Sequence, residues 1–387
     1  MKKVLVITGT RAEYGLLYWT MRGVKESSKL ELLLCVTGMH LSPEFGLTYT
    51  MIENDGFVID EKVEMLMSSD TAIGISKSIG LGIISFSEVF HRIKPDLILV
   101  LGDRFEIFSA VSAAMIAKIP VAHCHGGEST EGLIDEPIRH SITKMSHIHF
   151  AATEKYKNRI LQLGENPKHV FNVGGLGLEN INKLILMSKH DLERSLNFKF
   201  SSLNFLITFH PVTLEHCSSS EQFYNLLLVL DLYPNANIIF TKANSDTDGR
   251  IINKMIDEFV SINNERAITF LSMGQLRYLS ALQYVDLVVG NSSSGLLEVP
   301  SFQIPTIDIG DRQKGRIKAY SVISCKESVN EIKSAFELGL SNSFREKCKF
   351  VKNPYDNGNS SEHILSVLDN LKLDNLVKKT FFDVESL

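Results

Sequence analysis

The sequence predicts an α/β protein made of two doubly wound, Rossmann-like domains facing each other across a cleft. Three observations carry that expectation. Short apolar, β-branched runs recur along the chain, segments with helical period separate them, and the pattern restarts once near the middle. Continuous apolar strands between amphipathic helices suit a parallel sheet that is covered on both faces.

In the first half the strand-like runs are "KVLVITGT" (3–10), "LELLLCVTG" (30–38), "DLILVLGD" (96–103), "PVAHCHG" (120–126) and "IHFAAT" (148–153). Helical period fills 13–27 and 105–118 between them. The second half repeats the alternation with "NFLITFHP" (204–211), "NIIFTKAN" (237–244), "AITFLS" (267–272), "DLVVGNSS" (286–293) and "TIDIG" (306–310). Helical stretches at 221–232 and 249–262 lie between these. A chain of 387 residues is long enough for two cores. The expected domains are 1–180 and 181–360, with a polar boundary region over 185–203. The C-terminal stretch 361–387, helical over 361–372, is expected to rejoin the first domain.

Composition excludes several classes. Hydrophobic residues are 44% and charged residues 22%, ordinary for a globular chain. Forty Lys and Arg against 45 Asp and Glu give −5, so bulk binding to nucleic acid or anionic lipid has no electrostatic basis. Five scattered cysteines without a CxxC pair read as a reducing compartment. The N-terminal run "VLVITGT" is too short for a signal-peptide core, and no apolar run approaches the ~20 residues of a membrane span. The expectation is a cytoplasmic protein with no membrane partner.

In doubly wound folds ligands collect at the carboxyl ends of the strands. The residues there are "GTRAEYG" (9–15), "TGMH" (37–40), "GDRFE" (102–106), "HCHGGE" (123–128), "FHPVT" (209–213), "KANSDTD" (242–248), "GNSSSG" (290–295) and "GDRQKGR" (310–316). So many Arg, Asp, His, Asn and Ser at strand exits suggest a polar cleft for a multiply charged ligand.

"GNSSSGLLEVP" offers small residues, a helix start and its unsatisfied N–H groups to a phosphate, through Asn291, Ser292 and Ser293. An ordinary Ser-capped helix start fits that loop about as well. Glu298, one turn on, suits a ribose diol better than a phosphate. Arg11, Arg104 and Arg312 sit at three other strand exits and can fork onto phosphate oxygens. Singly, each would be read as a surface ion pair. No Walker A motif and no strand–GxGxxG–helix unit occurs.

"VAHCHGGESTEGLIDEPIRH" (121–140) raises the alternative of a metal site. On a strand, His123 and His125 would point one way and Cys124 the other, and no complementary CxxC or HxxxH follows, so metal is the poorer reading. Asp103, His125, Glu128, Asp135 and Glu136 instead form a titratable set on neighbouring loops. Crowded carboxylates raise one another's pKa and so supply the protonated and ionised partners of acid–base chemistry. One of Asp135 and Glu136 could simply cap the helix that starts at Pro137.

"TGTRAEYG", "VTGMH", "FGLTY", "LGDRFE", "HGGE", "DEPIRHSITKMSHIH", "FHPVT", "GNSSSGLLEVP" and "GDRQKGR", in this order, resemble the hydrolysing UDP-N-acetylglucosamine 2-epimerases of bacterial sialic acid synthesis. The resemblance extends to about residue 360. It implies a glycosyltransferase-B-type fold with UDP held mainly by the second half. It also implies conversion of UDP-N-acetylglucosamine and water to N-acetylmannosamine and UDP, by elimination to a glycal and then hydration. By resemblance Asp103 is a catalytic aspartate and Asp135 the catalytic acid. Arg11, Gly15, Arg104, His210, Asn244, Ser292, Ser293, Glu298 and Arg312 fall on UDP-contacting positions. His40, Arg139 and Asn291 complete the candidate ligand set.

Many relatives carry Glu where this chain has His125, so His125 or Glu128 is expected to take that acid–base role. The choice between Asp135 and Glu136 stays open because the preceding loop is one residue longer. The resemblance implies no cofactor and no metal, a UDP-sugar substrate with UDP as product, and a homodimer or homotetramer. A sister enzyme acting on a UDP-linked 2,4-diacetamido-trideoxyhexose is the nearest alternative. A reversible epimerase, a glycosyltransferase of the same fold and an inert nucleotide-sugar binder are further ones.

Overall fold

The computed structural model describes residues 1–67, 71–129, 134–211, 219–243 and 249–384. The chain divides into two compact units, Met1–Glu179 with Asn357–Leu387, and Asn180–Asp356.

The first unit holds a seven-stranded sheet made of β1 (Lys2–Thr8), β2 (Leu30–Thr37), β3 (Glu61–Val63), β4 (Leu97–Leu101), β5 (Val121–Cys124), β6 (Ile148–Ala151) and β7 (Val170–Asn172). Their order is β3-β2-β1-β4-β5-β6-β7, and every pairing is parallel. Successive β1 residues feed opposite faces of the sheet, as the strand period of two requires. Val4 and Val6 join one core cluster, Leu5 and Ile7 the other. The winding reverses between β1 and β4, where Val4 pairs with Leu97. That switch point fixes where a ligand crevice forms.

The second unit has six strands: β8 (Asn204–Thr208), β9 (Asn237–Thr241), β10 (Ala267–Phe270), β11 (Leu287–Gly290), β12 (Thr306–Ile309) and β13 (Val322–Cys325). The order β10-β9-β8-β11-β12-β13, again parallel, places its switch point between β8 and β11. Phe205 and Ile207 pack on one side of this sheet, Leu206 on the other.

Two helices position the first unit's site. Helix Arg11–Glu26 starts directly after β1, where Thr10 Oγ1 accepts the Glu13 N–H at 3.2 Å as its N-cap. Helix Ser360–Asn370 packs on it with Ile364 and Leu368 in the shared core. A Cβ at Gly23 would lie 2.2 Å from the Leu365 side chain, which would have to shift to admit it.

Among the described residues, helix Ala72–Ile93, of 22 residues, contains an 18-residue stretch of mean hydropathy 1.4, apolar and long enough by composition alone, although serines, glycines and Lys77 interrupt it. It packs along helix Phe105–Ala117, where Ser109 donates to the Ile79 carbonyl at 3.2 Å.

Candidate active site

At the first switch point, Gly9, Thr10 and Arg11 leave β1 beside Gly102, Asp103 and Arg104 leaving β4. The Asp103 carboxylate is ion-paired with Arg139, a buried side chain on helix Asp135–Met145. Asp135 sits in the first turn of the same helix. Burial holds its carboxyl above the usual range, the nearby Asp103 charge adds to this, and Arg104 and Arg139 pull it back down. Glu136 is placed differently. Its Oε1 accepts from Ser129 Oγ at 3.1 Å and lies 3.2 Å from His140 Nε2, a network at the helix start.

Arg104 forks onto Glu106, with Nε and Nη2 donating at 3.2 and 3.1 Å, and Glu106 is fully buried. Part of the guanidinium expected to meet a phosphate is therefore already engaged. Glu13 is buried beside it and accepts the Gly9 N–H at 2.6 Å. Burial, with the Glu106 charge adding, pushes the Glu13 carboxyl up to about 8. His40 is buried between Thr8 Oγ1 (3.1 Å) and Thr48 Oγ1 (2.8 Å), and burial pushes its imidazole down to about 4. Arg11 is exposed at its helix start. An added Cβ at Gly15, one turn on, would meet nothing within 4 Å.

The loop after β5 departs from simple strand alternation. β5 ends at Cys124, and His125 takes a left-handed conformation with φ 62°. The expected shared face of His123 and His125 is therefore lost. His125 Nε2 accepts the Leu176 N–H at 3.4 Å, and Nδ1 lies 3.0 Å from Glu128 Oε1. Among the described residues, no three His, Cys, Asp or Glu side chains come together as a metal site would need.

In the second unit, β8 exits into His210 beside β11 exiting into Asn291. Gly290 is required there, with φ 142° and an added Cβ only 1.8 Å from the Thr208 carbonyl oxygen. The Asn291 carbonyl accepts from Arg312 Nη1 at 3.0 Å and from Gln313 Nε2 at 2.8 Å. Burial, then the Arg312 charge, pushes the His210 imidazole down to about 4.

Ser292 Oγ accepts the Ser294 N–H at 3.4 Å, and Ser293 precedes a helix of only four residues, Ser294–Leu297. A single turn carries little macrodipole, so an anion at this loop would have to be held by individual N–H groups. Glu298 ends that turn. Burial raises its carboxyl, while a hydrogen bond with Ser294 and the charge of Arg316 lower it. Tyr278 Oη meets Ser294 Oγ at 2.6 Å. Asn244 lies outside the described residues.

Asp103, Asp135, Arg104 and Arg139 thus cluster at one switch point, while His210, Asn291 and Arg312 are linked at the other. Sequence reasoning did not single out Glu13, Glu106 or Thr143, and it weighed His123 only as a metal ligand. The available signal was a histidine inside an apolar strand, since a buried imidazole needs partners.

A sequence model described as UDP-N-acetylglucosamine 2-epimerase matches residues 22–369. A Campylobacter jejuni protein named GDP/UDP-N,N'-diacetylbacillosamine 2-epimerase (hydrolyzing) is 42% identical over 384 residues, covering 99% of both chains. An Escherichia coli protein named polysialic acid biosynthesis protein P7 is 39% identical, over 99% of this chain and 98% of its own. The crystal structure of UDP-GlcNAc 2-epimerase from Neisseria meningitidis bound to UDP-GlcNAc superposes with TM-score 0.74 at 21% identity, covering 95% of this chain and 99% of that one. That likeness gives the fold, two Rossmann-like sheets of the glycosyltransferase B type. The matched model and the two full-length relatives show that this chain belongs to the UDP-N-acetylglucosamine 2-epimerase family.

Proposed function

We propose that the chain is a hydrolysing 2-epimerase that converts UDP-N-acetylglucosamine and water to N-acetylmannosamine and UDP, for sialic acid synthesis. The observation that carries this reading is the pair of neighbouring carboxyls in unlike surroundings. Asp103 is ion-paired with Arg139, and Asp135 is raised by burial and by Asp103. Two acids in such unlike surroundings suit a base and an acid.

Asp103 takes the C2 proton as the C1–O bond to UDP breaks, giving the glycal. Water then adds its hydroxyl at C1 while a proton returns to the opposite face of C2. Asp135 and the His125–Glu128 pair supply and relay the protons of this second step. Arg11 and Arg104 offset charge in the first unit. In the second, His210, Asn244, the Asn291–Ser293 loop, Glu298 and Arg312 hold the nucleotide.

A second reading, a UDP-2,4-diacetamido-2,4,6-trideoxyhexose as substrate, is favoured by the name of the Campylobacter relative, whereas the name of the Escherichia coli relative supports the first. The cytoplasm suits a UDP-sugar enzyme whose four described cysteines are free. A homodimer or homotetramer is supported by exposed Ile73, Ile84 and Ile116 on neighbouring helices.

The test is an NMR time course in D2O without added metal, with each UDP-sugar. Free N-acetylmannosamine deuterated at C2, released with UDP, is the expected result. Deuterated UDP-sugar without UDP release would replace this reading with a reversible epimerase. Turnover of the diacetamido sugar alone would establish the second reading.

A further inference from the structure

His123 is fully buried on β5 and has no part in the acid–base chemistry above. Its Nε2 lies 2.8 Å from the Gly102 carbonyl oxygen and its Nδ1 3.2 Å from Thr143 Oγ1. Gly102 immediately precedes Asp103. Thr143 is one turn beyond Arg139, whose carbonyl oxygen its hydroxyl meets at 3.0 Å. With the Asp103–Arg139 ion pair these contacts close a ring through Asp103, Gly102, His123, Thr143 and Arg139.

The chemistry of the ring fixes its protons. A carbonyl only accepts, so Nε2 carries the hydrogen that meets Gly102. Nδ1 is then an acceptor, and the single Thr143 hydroxyl hydrogen is shared between it and the Arg139 carbonyl. A cationic imidazole would let Thr143 turn wholly to the Arg139 carbonyl, but burial opposes it, and His149, Arg139 and His125 add repulsion. Together they push His123 down to about 3. The ring is therefore held by a neutral imidazole in one tautomer.

We propose that His123, oriented by Thr143, is the positioning residue for Asp103, fixing the turn after β4 to the helix that carries Arg139 and Asp135. The proposal rests on the reading of Asp103 as the base. A catalytic group supported in this way keeps its geometry, and displacement of about 1 Å can cost on the order of 100-fold in rate.

The test compares Thr143→Val, which removes the hydroxyl at nearly constant shape, with Thr143→Ser, which keeps it, and with His123→Phe. UDP release gives kcat and KM, and the carboxyl 13C chemical shift of Asp103 reports its surroundings in substrate-free protein. We expect kcat to fall about 10- to 100-fold in Thr143→Val and His123→Phe, with KM within about twofold, and Thr143→Ser to recover most of it. The Asp103 carboxyl signal should move in the two disruptive variants and not in Thr143→Ser. Wild-type kcat with an unmoved Asp103 signal in Thr143→Val would overturn the proposal, even if His123→Phe failed to fold. Should the wild-type protein release UDP from neither sugar, the functional reading fails, and the Asp103 carboxyl signal alone decides the positioning claim.

Discussion

The side-chain amide of Asn291 and the backbone of His210 exchange two hydrogen bonds. The His210 N–H donates to Oδ1 at 2.7 Å, and Nδ2 donates to the His210 carbonyl at 2.8 Å. The tie joins the exits of β8 and β11, and Asn291 is buried. Its side chain therefore works by holding His210 and the serine loop in register, which is how it would serve a nucleotide. Buried groups left unpaired cost about 1–3 kcal/mol each. Asn291→Ala should lose about 2–4 kcal/mol in urea unfolding and bind UDP about tenfold more weakly by calorimetry. Wild-type values for both would show that the tie carries nothing.

Asp135 and Glu136 are adjacent in sequence but differ in surroundings, and this separates their roles. Asp135→Asn should lower kcat by about 10²- to 10⁴-fold, the usual range for a general acid. Glu136→Gln should keep kcat within about tenfold and unfold earlier, because Glu136 holds Ser129 and His140. An acid works while protonated, so the wild-type rate should fall as pH rises through the raised Asp135 pKa. Steady-state kinetics from pH 5 to 10 on the three proteins checks this. A Glu136→Gln variant deader than Asp135→Asn would exchange the assignments.

Glu13 predicts a pH dependence of stability with a definite sign. Its carboxyl is raised from 4.5 to about 8, mainly by burial, with Glu106 adding and Arg104 and the Gly9 N–H opposing. Between those values the unfolded chain binds fewer protons than the folded one, so stability present below pH 4.5 is lost as pH rises toward 8. The slope from this group is at most about 1.4 kcal/mol per pH unit. Glu13→Gln cannot ionise and should flatten the dependence, becoming more stable than wild type above pH 8. Urea unfolding at pH 5, 7 and 9 measures it. Parallel curves for the two proteins would mean that Glu13 does not titrate in this window.

The ten strand-like runs read from the sequence each contain a strand, because their apolar cores leave no other way to bury them. The runs extend beyond the strands at their carboxyl ends, as at Gly9–Thr10, Gly102–Asp103 and His125, where turn chemistry begins. The strands not anticipated, β3, β7 and β13, have three or four residues, and β3 and β7 as well as β13 offer no long apolar run. They gain their pairing from the sheet already present. The placement of candidate residues was legible where a polar side chain follows a strand exit, as at Asp103 and His210. It was not legible where two distant segments meet. Nothing in the sequence says that Glu106 grips Arg104, or that His123 reaches Thr143 across 20 residues.

His125 and Glu128 lie on one short loop, with Nδ1 and Oε1 3.0 Å apart and the other ring nitrogen on the Leu176 N–H. The left-handed backbone at His125 is uncommon for a side chain with a Cβ, and such strain persists where surrounding contacts over-determine it. Both ring nitrogens face protein groups, so in the proposed mechanism His125 would act through Glu128 and not alone. Residues that act as one unit are not additive when mutated. His125→Asn, which tolerates the backbone, and Glu128→Gln should each lower kcat about 10- to 100-fold, and the double variant should be no worse than the poorer single one. Stopped-flow UDP release on the four proteins gives the cycle. Multiplying losses in the double variant would mean that the two side chains serve separate steps, with His125 meeting substrate itself.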